Sequence, residues 1–81
     1  MVIKVLGPGC AKCHKLEKLV KEVISEMGIP ASVEYVKDMG KILEYPILTT
    51  PGLVINEEVV CAGKVPSKQE IAAMITKAQA G

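Results

Sequence analysis

Apolar and polar residues alternate along this chain in two rhythms, and the rhythm changes mark the elements. Val2–Leu6 is an apolar run interrupted only by Lys4, and it reads as a buried strand stopped by Gly7-Pro8-Gly9. Leu16, Leu19, Val20, Val23, Ile24 and Met27 then recur at helical spacing and form one apolar stripe. Lys15, Lys18, Lys21 and Glu22 lie off that stripe, and Glu17 can pair with Lys21 one turn on. Gly28 and Pro30 supply the stop.

Residues 31–36 read as a second strand, with Val33, Tyr35 and Val36 favouring extended backbone. Asp38 can cap a short helix with Met39, Ile42 and Leu43 on its apolar face, ended by Tyr45-Pro46. Residues 53–55 and 59–61 read as a hairpin around Asn56-Glu57-Glu58, and Gly63 breaks its second strand. Ser67-Lys68-Gln69-Glu70 has the spacing of a capping box, and Ile71, Met74, Ile75 and Ala78 continue it as a terminal amphipathic helix.

The expected order is β-α-β-α-β-β-α, an α/β fold. Two parallel strands joined by a helix form a right-handed crossover unit, and the hairpin extends the sheet antiparallel. The result is a four-stranded mixed sheet with three helices distributed over both faces. At 81 residues, one domain spanning 1–81 is expected, with a small core. That core must be aliphatic, because the chain has two Tyr, no Phe and no Trp.

Ten basic and nine acidic residues are mixed along the chain, which leaves no basic field for nucleic acid and no polybasic patch for a membrane. Without aromatic platforms, single-stranded nucleic acid is not expected either. No run reaches the length that spans a bilayer. The first residues read as a strand and lack the pattern of a secretion signal. Three cysteines are too few, and odd in number, for a disulfide-stapled secreted scaffold, so a cytoplasmic monomer is expected.

The chemistry concentrates at Cys10-Ala11-Lys12-Cys13, which follows the first strand and its turn and opens the long helix. A helix start leaves backbone N–H groups unpaired and carries partial positive charge, and both favour a thiolate. The thiolate is the attacking species in disulfide exchange. A free thiol with a pKa of about 8.5 is only a few per cent ionised at neutral pH, so its surroundings must activate it. An exposed helix terminus contributes about 0.3–1 kcal/mol, and hydrogen bonds to the sulfur or a nearby cation must supply the rest. Cys10 is nearer the free N–H groups and reads as the nucleophile; Cys13, set back along the turn, reads as the resolving thiol. Lys12 is one candidate cation, although an exposed turn more simply makes it a solvated side chain. His14 can tune Cys13 or bind a metal, although a lone His on the polar side of a helix is more simply solvated. Cys61 sits in a strand among apolar neighbours and reads as a small, inert core residue.

A second site precedes the hairpin: Thr49-Thr50-Pro51-Gly52. A Pro is permitted where a strand begins, because it need not donate to the ladder. A cis bond before Pro51 would turn the chain sharply and let the Thr50 backbone meet an extended peptide; a trans entry into the strand is the plainer alternative.

Taken with the element order, Cys10-Ala11-Lys12-Cys13 after the first strand and Thr50-Pro51 before the hairpin resemble the minimal thioredoxin fold. The likeness is to small thioredoxin-like proteins with a redox-active disulfide, and it extends over essentially the whole chain. It implies a cis bond at Thr50-Pro51, with the proline packed over the cysteine pair and with Ala11 and Lys12 as active-site support. It also implies thiol–disulfide oxidoreductase activity without a cofactor or metal. The partners it implies are a disulfide-containing protein or small thiol as substrate and a reductase as electron donor. The chain departs from the thioredoxin pattern in having Gly9 where Trp is usual, Ala11-Lys12 where Gly-Pro is usual, and Lys4 where a buried acid is usual. The rival reading is a small metal-binding module, since C-x-x-C between a first strand and a helix also suits Cu(I) or Zn(II). Such modules run β-α-β-β-α-β, so the helix between the second and third strands decides between the two.

Overall fold

Ile3 and Val5 turn to one face of the first strand, and Lys4 and Leu6 turn to the other. That alternation organises the layers around it. The computed structural model describes residues 1–80. Its elements are β1 (Val2–Leu6), α1 (Ala11–Met27), β2 (Ser32–Val36), α2 (Met39–Ile42), β3 (Gly52–Ile55), β4 (Glu58–Ala62) and α3 (Lys68–Ala80). This is the expected order. Gly81, the last residue of the expected domain, lies outside the described residues.

The strands lie in the order β2-β1-β3-β4. β1 pairs parallel with β2, from Val2 opposite Ser32 to Leu6 opposite Val36. It pairs antiparallel with β3, from Ile3 opposite Ile55 to Leu6 opposite Gly52. β3 pairs antiparallel with β4, where a bulge at Val60 shifts the register between Leu53 and Val54. The hairpin turn is Asn56-Glu57, and both residues have positive φ (50° and 68°). That is the backbone of a two-residue primed turn, whose twist matches the strands.

α1 and α3 cover the face that carries Ile3, Val5, Leu53 and Ile55, and they add Leu16, Val20, Val23, Ile71 and Ile75 to one buried cluster. The stripe expected on α1 is therefore the face that packs. Gly28 ends α1 at φ 64°, a conformation open to glycine, and returns its N–H to the Ile24 carbonyl at 3.0 Å. The capping box forms as expected. Ser67 Oγ accepts from the Glu70 N–H at 3.2 Å, and Glu70 Oε1 accepts from the Ser67 N–H at 3.1 Å. Lys68 Nζ ties α3 to α1 through Glu22 at 2.9 Å and Glu26 at 2.8 Å.

The opposite face holds a smaller cluster of Leu6, Ile42 and Val54 beneath α2. Here one expectation is corrected. Of the three apolar residues on α2's expected face, only Ile42 is buried; Met39 is 50% and Leu43 71% exposed. A four-residue helix makes little more than one turn, so it presents a single position to the sheet.

Core and rim respond differently to truncation. Ile75→Ala is expected to cost about 2–5 kcal/mol, because it empties a fully buried position. Met39→Ala is expected to change stability by less than about 0.5 kcal/mol. Urea unfolding of the two variants measures the contrast.

Candidate active site

Three chain segments meet at one end of the sheet because of the strand register. β1 ends at Leu6, opposite both Val36 of parallel β2 and Gly52 at the start of β3. The turn into α1, the end of β2 and residues 50–51 therefore share that end. Gly7 donates to the Val36 carbonyl at 3.0 Å. Gly7 is buried, and a Cβ built on it would collide with Cys13 Sγ, so only glycine fits there.

The chain then enters α1 through Cys10, which is the N-cap residue with extended backbone (φ −76°, ψ 166°). Its sulfur accepts the Cys13 N–H at 3.3 Å, the bond that a capping hydroxyl makes in other helices. The first turn of α1 carries no acidic side chain to oppose a negative sulfur. Cys10 is exposed and Cys13 is fully buried, and both are free thiols. The Cys10 thiol is lowered below its ordinary value of 9.0, first by the Cys13 side chain and next by the Cys13 N–H. Desolvation opposes this, and the Lys12 N–H adds to it. The side chains of Lys12 and Ala11 are exposed.

The Thr50-Pro51 bond is cis, Thr50 is half-buried and Pro51 is buried. The Pro51 carbonyl accepts from the Gly63 N–H at 2.9 Å, which fastens this loop to the end of β4. Gly63 has φ 80°, and a Cβ there would strike the Thr49 hydroxyl. Glycine is required on both counts.

Other candidates fall elsewhere. Cys61 is buried opposite Leu53 in the larger cluster, as its apolar neighbours suggested. His14 is not merely solvated: its ring meets the Tyr35 ring at 5.4 Å between centroids, with the planes at 60°. Tyr35, a strand former by its sequence, has a buried hydroxyl and a ring that packs on His14. Period-two alternation with Val33 was the signal that could have placed it on the α1 face. Lys4, at the position of the family's usual acid, turns to the α2 face. There its Nζ meets Glu57 at 2.6 Å and donates to the Tyr45 hydroxyl at 3.0 Å. These partners hold Lys4 well above its ordinary value, and Lys4 in turn holds Glu57 below the usual carboxylate value.

Residues 1–76 match a family model described as a thioredoxin domain. The chain belongs to the thioredoxin family. It is 44% identical over 71 residues to a thioredoxin of Methanothermobacter thermautotrophicus, covering 88% of this chain and 92% of that one. It is also 38% identical over 71 residues to a thioredoxin of Methanocaldococcus jannaschii, covering 88% of this chain and 81% of that relative. The protein is therefore a thiol–disulfide oxidoreductase of minimal thioredoxin fold. The metal-binding reading gains no support. The helix between β2 and β3 sets the order apart from those modules. Among the described residues, no group of three His, Cys, Asp or Glu side chains converges as a metal site.

The lowered Cys10 thiol has a signed consequence. Between its folded value and the 9.0 of an ordinary thiol, the unfolded chain holds more protons. The reduced protein therefore gains stability as pH rises across that window and loses it as pH falls through the folded value. Alkylation by iodoacetamide is expected to show a fast phase whose midpoint lies below 9.0, and Cys10→Ser should remove that phase.

Proposed function

We propose that Cys10 is the attacking thiol of this oxidoreductase and Cys13 the resolving thiol. The observation that carries this reading is the capping bond: an exposed sulfur at a helix start, receiving the N–H of a second, buried cysteine. In the reductive direction, the Cys10 thiolate attacks one sulfur of a substrate disulfide. A mixed disulfide forms and the other substrate sulfur leaves as a thiolate. Cys13, deprotonated, then attacks the Cys10 sulfur. An intramolecular disulfide forms and the second substrate thiolate is released. Two electrons pass to the substrate, and a dithiol reductase returns them.

Burial gives the order of events a physical basis. A bulky partner reaches Cys10 at the surface but not Cys13 beneath it, so Cys13 meets only a sulfur already bound to Cys10. The residues at 50–51 lie at the same sheet end. In this scheme the Thr50 backbone pairs with an extended segment on either side of the substrate disulfide, and Pro51 supports the cysteine pair. That arrangement favours a protein disulfide over a small thiol, because only a chain offers backbone to Thr50. Residues 1–81 act here as one domain, as a monomer in the cytoplasm, where a reductase keeps the couple reduced.

Single substitutions separate the two roles. Cys10→Ser is expected to reduce insulin disulfides no faster than the buffer thiol alone. Cys13→Ser is expected to accumulate a stable mixed disulfide on Cys10, seen as an adduct mass that added thiol removes. A Cys10→Ser, Cys13→Ser double variant that retains the parent's rate contradicts the scheme.

A further inference from the structure

Tyr35 carries a polar group that the two-cysteine exchange leaves unused. It stands near the end of β2, opposite Val5 of β1, and its hydroxyl is buried without a hydrogen-bond partner. Such a group is costly unless something nearby uses it. The ring is held from two sides, by the His14 edge and by Lys37, whose Nζ lies 5.3 Å from the ring centroid. The phenol is pushed up to about 12, first by burial and next by the Cys13 side chain. The contact with His14, the residue after Cys13, sets the ring against the first turns of α1 on the face where Cys13 is buried. A thiol is only a weak acceptor, whereas a thiolate is a strong one.

We propose that the Tyr35 hydroxyl donates a hydrogen bond to the Cys13 sulfur as that sulfur becomes a thiolate, and so readies it to attack the mixed disulfide. The proposal rests on the two-cysteine exchange above. Cys13 gives its proton to water. Its thiolate forms a bond to the Cys10 sulfur, the bond from Cys10 to the partner sulfur breaks, and the partner leaves as a thiolate that takes up a proton. Tyr35 keeps its own proton throughout, so it serves as a donor and not as a base. The chain has a reason to need one. Where a carboxylate is usual in the family stands Lys4, whose ammonium is engaged by Glu57 and Tyr45 on the far face. The other charges near the phenol are Cys10 and Glu17 of α1 and Lys37 after β2. Asp38 and Lys41 edge the cleft that Tyr35 also lines on the α2 side.

Dithiobis(nitrobenzoate) separates the steps in a Cys61→Ala background. One chromophore is released when the Cys10 thiolate attacks the reagent's disulfide, and a second when Cys13 attacks the Cys10 sulfur and displaces the remaining half. Tyr35→Phe keeps the ring and removes the donor. The first release should match the parent, and the second should slow about tenfold at neutral pH, with its pH profile moved up by about one pH unit. A second release unchanged in rate and pH profile overturns the role of Tyr35 and leaves the two-cysteine scheme standing. Absence of both releases in the parent overturns the scheme and this role with it. A reciprocal measurement does not depend on removing the tyrosine. Because the chain has two Tyr, Tyr45→Phe leaves Tyr35 as the single near-ultraviolet titration signal. Adding Cys13→Ala should lower the midpoint of that titration, and an unmoved midpoint overturns the proposal.

Discussion

The pairing of β1 on both of its sides is the constraint on which the site depends. Parallel β2 and antiparallel β3 meet β1 in registers that bring Val36 and Gly52 to Leu6. Because β1 and β2 run the same way, both leave the sheet at that end. Because β3 runs the other way, it enters there. The start of α1, the end of β2 and the Thr50-Pro51 bond are thereby assembled from distant parts of the chain, and the Gly7 N–H ties the turn into α1 to the Val36 carbonyl. Burial of Ile3, Val5, Leu53 and Ile55 under α1 and α3 fixes those registers, since a slip of one residue would turn these side chains to the wrong face.

What could be read beforehand was what is local. The α1 stripe, the Gly28 stop, the Ser67–Glu70 box and the C-x-x-C at a strand-to-helix turn each involve residues within a few positions of one another. Periodicity or spacing reports such features directly. The less legible features are non-local or run against propensity. Glu57 adopts φ 68° although glutamate disfavours that region, because the twist of the hairpin demands it and Lys4 engages its carboxylate from β1. The bulge at Val60 arises from pairing with β3, and nothing within β4 itself announces it. Met39 and Leu43 look like core residues by composition and are exposed by the shortness of α2. Tyr35 is the instructive case: a strand-forming residue becomes a neighbour of His14 on α1 only once β2 lies beside β1.

The same geometry explains why glycine occupies two positions around the cysteines. At Gly7 the backbone passes so close to Cys13 that no side chain fits. At Gly63 the positive φ and the Thr49 hydroxyl leave no other residue comfortable. Both positions bring backbone into contact with the parts of the site: Gly7 packs on the buried sulfur, and Gly63 anchors the Pro51 carbonyl. The site is held mainly by main chain, which rigid strand ends supply more reliably than long side chains do.

Charge then divides the molecule by face. On the α2 face, Lys4, Glu57 and Tyr45 satisfy one another, so none of them is left to act on a cysteine. On the α1 face, the Cys13 N–H meets the Cys10 sulfur, and His14, Glu17 and the Tyr35 phenol lie around the pair. The donor at the helix start and the two rings beside it are held by the same elements that place the cysteines. A backbone N–H aimed at the exposed sulfur stabilises a thiolate once it has formed.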